Sequence, residues 1–404
     1  MSEVANIPQL RFPEFGDNWE EKKLGNVTSI VMGQSPDSTS YNSNGIGLYL
    51  IQGNADIKKR KTLPRVWTDT PTKECKVGDI IMTVRAPVGA VAKSIHNACI
   101  GRGVCAIRNN QHSVSNYIYQ FLLSFEKKWV KFEQGSTFTA VNTKDVKSLK
   151  LILPPVQEQQ KIAAFLTAVD SKIEQLSKKK ALLGEYKKGL MQQIFSQEIR
   201  FKADDGSDFP DWEEKKLGNI SNVSKLAGYE FTKYIKYQDT GSIIALRGLN
   251  IKKNKLDLSV VKFIDNSDFS RLNRSKLFID DLMFTYIGTI GEVALIDEDD
   301  KYYLAPNVSR IRFNNEVCLP RFAIQYFNRE VFKQGEIKKY VSSSSQPALT
   351  MGNVRLFILN LPTKPEQQKI ANFLSSIDSK IEQVGEQLDK SKQFKKALLQ
   401  KMFV

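Results

Sequence analysis

EQQKIAAFLTAVDSKIEQ, from Glu158 to Gln175, returns almost unchanged as EQQKIANFLSSIDSKIEQ from Glu366 to Gln383, an offset of 208 residues. Each copy follows a proline-containing strand end, LILPPVQ from Leu151 and LNLPTKP from Leu359, and each runs on to an aromatic stop at Phe195 or Phe403. In the first copy apolar residues fall at Ile162, Leu166, Val169, Ile173, Leu176, Leu183, Leu190 and Ile194, four and three apart, with Lys180 and Lys187 filling two seam positions. The second places Ile370, Leu374, Ile377, Ile381, Val384, Leu388, Leu398 and Met402 in the same register, with Ser391 and Lys395 as polar interruptions. This spacing predicts a heptad seam along two long helices that pair with each other. Each should reach about 55 Å at about 1.5 Å per residue. Pro155 and Pro365 stand where a missing amide costs nothing, and the Glu158 and Glu366 carboxylates face the positive end of the helix dipole.

The duplication extends beyond the helices. FPEFGDNWEEKKLGNVTSI from Phe12 recurs as FPDWEEKKLGNISNV from Phe209, with Trp19 matching Trp212 at an offset of 193, so the second variable segment is 15 residues longer. VGDIIMTVRAPVGAVA from Val77 echoes IDDLMFTYIGTIGEVALI from Ile279, and this alternation ending in a glycine turn predicts a hairpin. YLIQGNADIKK from Tyr49 matches IIALRGLNIKK from Ile243, and GVCAIR from Gly103 matches NVSRIRF from Asn307. The expected fold is mixed α/β (α+β): a domain over 1–156, a long helix over 157–196, a second domain over 197–364 and a second long helix over 365–404. Two long units make a tandem pseudo-repeat, not a solenoid. Antiparallel helices would relate the domains by a pseudo-two-fold axis and suit a ligand of the same symmetry, as duplex DNA has.

A net charge of +15 and a pI near 9.4 favour a polyanionic partner. The excess is spread as +7 over residues 1–156, +5 over the two helices and +3 over the rest, which suits selected basic loops better than a non-specific basic tail. Cys75, Cys99, Cys105 and Cys318 lack zinc-type spacing and read as reduced core residues of a cytoplasmic protein. With no apolar run near the roughly 18 residues of a membrane span and no leader-like start, the chain is expected to be soluble and not exported.

On these residues the chain resembles the specificity subunit of type I restriction-modification systems. The pattern LP[PT]-x-x-EQQKIA-x-FL-x-x-x-D-x-KIEQ, occurring twice after a G-D-[IL]-type hairpin, carries the resemblance over the whole length. The resemblance implies two target-recognition domains, each reading one half of a bipartite double-stranded DNA sequence. It further implies helices that set the spacer and dock two methyltransferase subunits, which make N6-methyladenine from S-adenosylmethionine. Two motor-nuclease subunits, using ATP and Mg2+, would complete the restriction enzyme. No cofactor is expected on this chain.

The residues themselves offer little chemistry. Asn360 begins NLPT, without the aromatic that an adenine methyltransferase motif requires; Gly288 and Gly291 precede no helix pattern, and the GRG at Gly101–Gly103 is equally weak. PDWEEK from Pro210 crowds its acids where metal ligation draws on separate strands, no phosphate-binding G-x-x-x-x-G-K-[ST] loop exists, and His96 and His112 share no metal spacing. The chain alone is expected to be inert.

Candidate DNA contacts recur at matching places. Lys58, Lys59, Arg60 and Lys61 match Lys252, Lys253 and Lys255 as phosphate contacts. Arg85 stands at the hairpin turn opposite Tyr286 or Ile287, and Arg102 precedes a strand as Asn307 does; Arg to guanine and Asn to adenine are the expected pairings. Arg247 and Arg310 belong to the same set, as do Ser136, Thr137, Ser343, Ser344 and Gln346 in small polar loops. Trp19 and Trp212 read as core residues. Ile162, Leu166, Val169, Ile173 and Leu176, with Ile370, Leu374, Ile377, Ile381 and Val384, are the expected pairing and partner interface. The competing reading is a scaffold whose helices gather proteins without sequence-specific DNA binding.

Overall fold

The computed structural model describes residues 7–129, 140–341 and 347–403; Ser136, Thr137, Ser343, Ser344 and Gln346 lie outside the described residues. The chain divides into two units, Met1–Lys179 with Val384–Val404, and Lys180–Gln383. The long helices span Val156–Phe195 and Lys364–Met402, so each unit holds one mixed α/β domain and a part of both helices.

In the first unit Glu20–Lys23 pairs antiparallel with Lys150–Leu153, Lys22 opposite Leu151, which ties the start of the domain to the strand feeding the long helix. A six-stranded sheet carries Thr28–Met32, Val104–Asn109, Ile80–Thr83, Val91–Lys93, Lys61–Thr62 and Ile57–Lys58 in that order. Ile80–Thr83 is buried at every residue, as a central strand covered on both faces must be. A second sheet is built around the parallel pair Leu48–Ile51 and Ala98–Ile100. Trp19, Tyr117, Phe121, Ile162 and Leu166 share one core with Leu398 and Met402, so the beginning of the first long helix lies beside the end of the second. Each such side chain contributes about 1.5–3 kcal/mol by leaving water.

The second unit repeats the plan. Glu213–Lys216 pairs with Ile358–Leu361, Lys215 opposite Leu359. Ser221–Lys225, Val308–Phe313, Leu282–Thr285 and Val293–Leu295 form a four-stranded sheet, and Ile244–Leu246 runs parallel to Tyr302–Leu304. Its core joins Ile194 and Phe195 to Ile370 and Leu374, again the end of one long helix against the beginning of the other. Gly288 and Gly291, at φ 77 and 88, form the turn of the expected hairpin.

Along the seam Ile162, Leu166, Leu176, Ile370, Leu374, Ile377 and Val384 are buried, and Val169, Ile173 and Ile381 half-buried. The two lysines in the first helix's seam differ. Lys180 is exposed, contrary to the seam expectation, whereas Lys187 is buried against an acidic partner. An ammonium is buried only where a counter-charge meets it.

Candidate nucleic-acid interface and its anchors

The signature residues EQQ act as anchors. Glu158, fully buried, accepts Arg11 Nε and Nη2 at 2.8 Å each and Trp19 Nε1 at 3.1 Å. Glu366, also fully buried, accepts Arg200 Nε at 3.2 Å, Arg200 Nη2 at 2.9 Å and Trp212 Nε1 at 3.2 Å. These hydrogen bonds raise both arginine pKa values above the usual guanidinium range. The expected helix-dipole role thus becomes a forked ion pair. The next glutamines close the joint: Gln159 bonds Val114 N, His112 O and Pro154 O, and Gln367 bonds Leu319 N, Val317 O and Pro362 O.

The acid of the G-D hairpin is structural too. Arg108 Nε and Nη2 grip Asp79 at 2.7 and 2.6 Å, and Arg312 grips Asp281 at 2.7 Å through both nitrogens. At the far end of each hairpin a threonine closes the turn. Thr83 Oγ1 donates to Pro87 O and accepts Ala90 N, while Thr285 Oγ1 donates to Thr289 O and accepts Glu292 N.

These hairpin tips meet two other loops. In the first unit Gly101 N donates to Ile51 O and Val84 N to Gly103 O, which brings Gln52, Arg85 and Arg102 onto one loop cluster. A Cβ at Gly103 would stand 2.1 Å from Gln52 O, so the approach requires glycine. Arg85 and Arg102 are both exposed. In the second unit Ala305 N donates to Leu246 O, Gly248 N to Pro306 O and Tyr286 N to Asn307 O, which gathers Arg247, Tyr286 and Asn307 in the same way. Asn307 is exposed at φ 70, a left-handed position that asparagine tolerates. Arg247 is half-buried with Nη2 on Val260 O, and Tyr286 is buried with Lys225 Nζ 5.2 Å from its ring centre. Burial pushes the Tyr286 phenol up.

Arg310 is the residue of the set whose surroundings argue against contact with DNA. It is 7% exposed, its guanidinium donates to Arg274 O and Asn222 Oδ1, and burial lowers its pKa. It supports the sheet beneath the loops.

The basic clusters form two matching hairpins. Lys58 faces Lys61 across Lys59 and Arg60, and Lys252 faces Lys255 across Lys253 and Asn254, with all four turn residues at positive φ between 49 and 67. Both turns are of the tight two-residue kind, and lysine or arginine there carries backbone strain. Their outer ends reach the long helices: Lys61 pairs with Glu174 at 2.8 Å, and Lys255 with Glu382, the acid 208 residues further on. Arg60 is also engaged, by Glu126 and Val91 O, and Lys252 by Asp257. Lys58, Lys59 and Lys253 have exposed side chains.

Two polar clusters join domain to helices. Lys187 Nζ donates to both Asp378 oxygens at 2.7 Å and to Gln325 Oε1 at 2.8 Å, and Gln325 Nε2 donates to Asp378 Oδ2 at 3.0 Å. In the first unit Lys395 pairs with Asp170, which accepts Gln120 Nε2 at 2.7 Å. Sequence reasoning held Asp170 and Asp378 only as positions of the repeated signature and passed over Gln120, Gln325, Arg11 and Arg200. The recurrence of both aspartates and both lysines at the common offset of 208 was the available signal.

Among the described residues no group of three or more His, Cys, Asp or Glu side chains is placed to hold a metal ion, and no helix is long and apolar enough to cross a membrane. All four cysteines are buried and free.

Fold and site together define a tandem protein with two variable loop clusters on duplicated anchors. The chain belongs to the family of type I restriction modification DNA specificity domains, matched over residues 16–184 and 210–390. It is 37% identical over 205 residues to a putative type I restriction enzyme MjaX specificity subunit of Methanocaldococcus jannaschii, a match covering 50% of this chain and 46% of that protein. To the MjaVIII specificity subunit of the same organism it is 23% identical, over 95% of this chain and 91% of the other. In fold it is similar to the type I restriction-modification S subunit of M. genitalium, with a TM-score of 0.65 at 16% identity, covering 98% of this chain and 99% of that one.

Proposed function

We propose that this chain is the DNA-specificity subunit of a type I restriction-modification enzyme, and that each unit reads one half of a bipartite target. The observation that carries the reading is the duplicated loop cluster, in which equivalent backbone positions hold different side chains: Gln52, Val84, Arg85, Arg102 and Gly103 in one unit stand where Arg247, Tyr286, Ile287, Pro306 and Asn307 stand in the other. Constant anchors with variable tips are what two half-sites of different sequence require. Arginine matches the O6 and N7 of guanine, and asparagine the N6 and N7 of adenine. Lys58, Lys59 and Lys253 supply sequence-independent contacts to phosphate.

The chain is non-catalytic in this reading. The long helices set the unspecified gap and dock two methyltransferase subunits, which flip the adenine and transfer the methyl group from S-adenosylmethionine to N6. Motor-nuclease subunits with ATP and Mg2+ complete the restriction enzyme in the cytoplasm. Residues 1–156 and 197–364 are the recognition domains, and 157–196 and 365–404 the spacers.

Exchange of residues 197–362 for the same segment of a relative with a different target is the test. Methylation by the complex should then change in one half-site and keep the other. Alteration of both halves would contradict one domain per half-site.

A further inference from the structure

We infer that the Lys187–Asp378 and Lys395–Asp170 pairs fix the axial register of the two long helices and thereby the number of unspecified base pairs between the half-sites. The inference rests on the reading that the helices set that gap. On each helix the lysine follows the aspartate by 17 residues, from Asp170 to Lys187 and from Asp378 to Lys395. Both pairs are therefore satisfied by one antiparallel register.

The apolar seam specifies that register only weakly. Apart from the interruptions at Lys180, Lys187, Ser391 and Lys395, apolar residues recur every heptad, so a slide of seven residues lays a part of the seam, such as Val169, Ile173 and Leu176 on Leu388, Val384 and Ile381, on apolar side chains again, after a displacement of about 10 Å. The polar pairs do not survive such a slide. Lys187 would come opposite Ala371 or Gly385 in place of Asp378, and Asp170 opposite Leu388 or Met402 in place of Lys395.

Burial makes the mismatch costly for the cations. The Lys187 and Lys395 side chains are 10% and 15% exposed, while those of Asp378 and Asp170 are 44% and 35% exposed. The ammonium groups depend on their partners, and the carboxylates retain access to water. Gln325 and Gln120, both buried on short helices of the recognition domains, hold the same aspartates, so the register of the helices is coupled to the seating of each domain. A polar residue in an apolar seam that selects one alignment is a known use of such groups.

The test uses the full chain co-expressed with an active methyltransferase partner, with N6-methyladenine mapped by single-molecule sequencing. The wild type should give one split motif with one gap length. K187M/K395M keeps helix-forming, apolar side chains in the seam and should methylate the same half-sites at more than one gap, with additional lengths differing by about three base pairs for a slide of one heptad. K180M, at an exposed position, should keep the single gap. Charge reversal supplies a second arm: K187D should lose methylation at the wild-type gap, and K187D/D378K should regain it. A single unchanged gap in K187M/K395M, or failure of the double reversal to regain what K187D loses, overturns the register assignment. Absence of any split motif with the wild type overturns the underlying DNA-reading proposal.

Discussion

Lys187 and Asp378 meet across the long helices with the ammonium 2.7 Å from both carboxylate oxygens, and only the carboxylate side of the pair retains substantial contact with water. Removal of the two partners should therefore have unequal effects. D378A leaves a buried ammonium without its counter-charge and should cost about 1–3 kcal/mol, less than a wholly buried pair because the carboxylate is part-exposed. K187M removes the buried charge and should be nearly neutral. Urea denaturation monitored by circular dichroism checks the order; K187M more damaging than D378A would contradict it.

The Glu158 joint behaves in the opposite sense, because here the carboxylate is the fully buried member. R11M should lower stability by about 3–5 kcal/mol by stranding a buried anion. R11M/E158Q should cost less than R11M alone, since the stranded charge is gone. Melting temperatures of the two variants decide, and the same ordering is expected for Arg200 and Glu366.

Alkaline pH should weaken the fold. Burial pushes the Cys105 thiol from its ordinary 9.0 up to about 12, and the Tyr119 phenol from 10.0 up to about 12. The folded chain keeps protons that the unfolded chain releases, so this contribution is complete below about pH 9 and is lost as pH rises towards 12. Thermal melts across that range should fall steadily. Cys105 and Cys318 should also resist iodoacetamide at about pH 8 until the chain is unfolded, because burial holds both as thiols.

On DNA, substitutions should separate into two kinds. N307A and R102A should relax discrimination by about 1–3 kcal/mol at one position of one half-site each. K59A and K253A should weaken all sequences alike and reduce the salt slope by about 1. K61A should do little beyond loss of its exposed ion pair with Glu174, about 0–1 kcal/mol. Fluorescence titrations at several salt concentrations distinguish these outcomes, and a sequence-dependent loss in K59A would remove it from the phosphate contacts.

The helices and hairpins were legible because their periods and turns are local. Val156–Phe195 and Lys364–Met402 follow from apolar residues three and four apart, and the hairpin from VGDIIMTVRAPVGAVA with its second copy. Lys180 and Lys187 have the same heptad spacing yet opposite surroundings, because burial depends on Asp378, a residue 191 positions away from Lys187. Spacing within one helix holds no information about that partner. Arg310 shows the same limit. Its place in a strand was readable, but its face and its bonds to Arg274 O and Asn222 Oδ1 depend on sheet packing. The anchors at Glu158 and Glu366 were visible as repeats, while their arginine partners required the folded joint.

The most direct measurement is N6-methyladenine mapping across a host genome after co-expression of the wild-type chain with an active type I methyltransferase partner, with a control lacking this chain. The expected result is a new methylated motif of two short specified halves around one fixed gap, present only with the chain. An active partner that forms a complex with the chain and yet produces no such motif would contradict the specificity role and favour a scaffold.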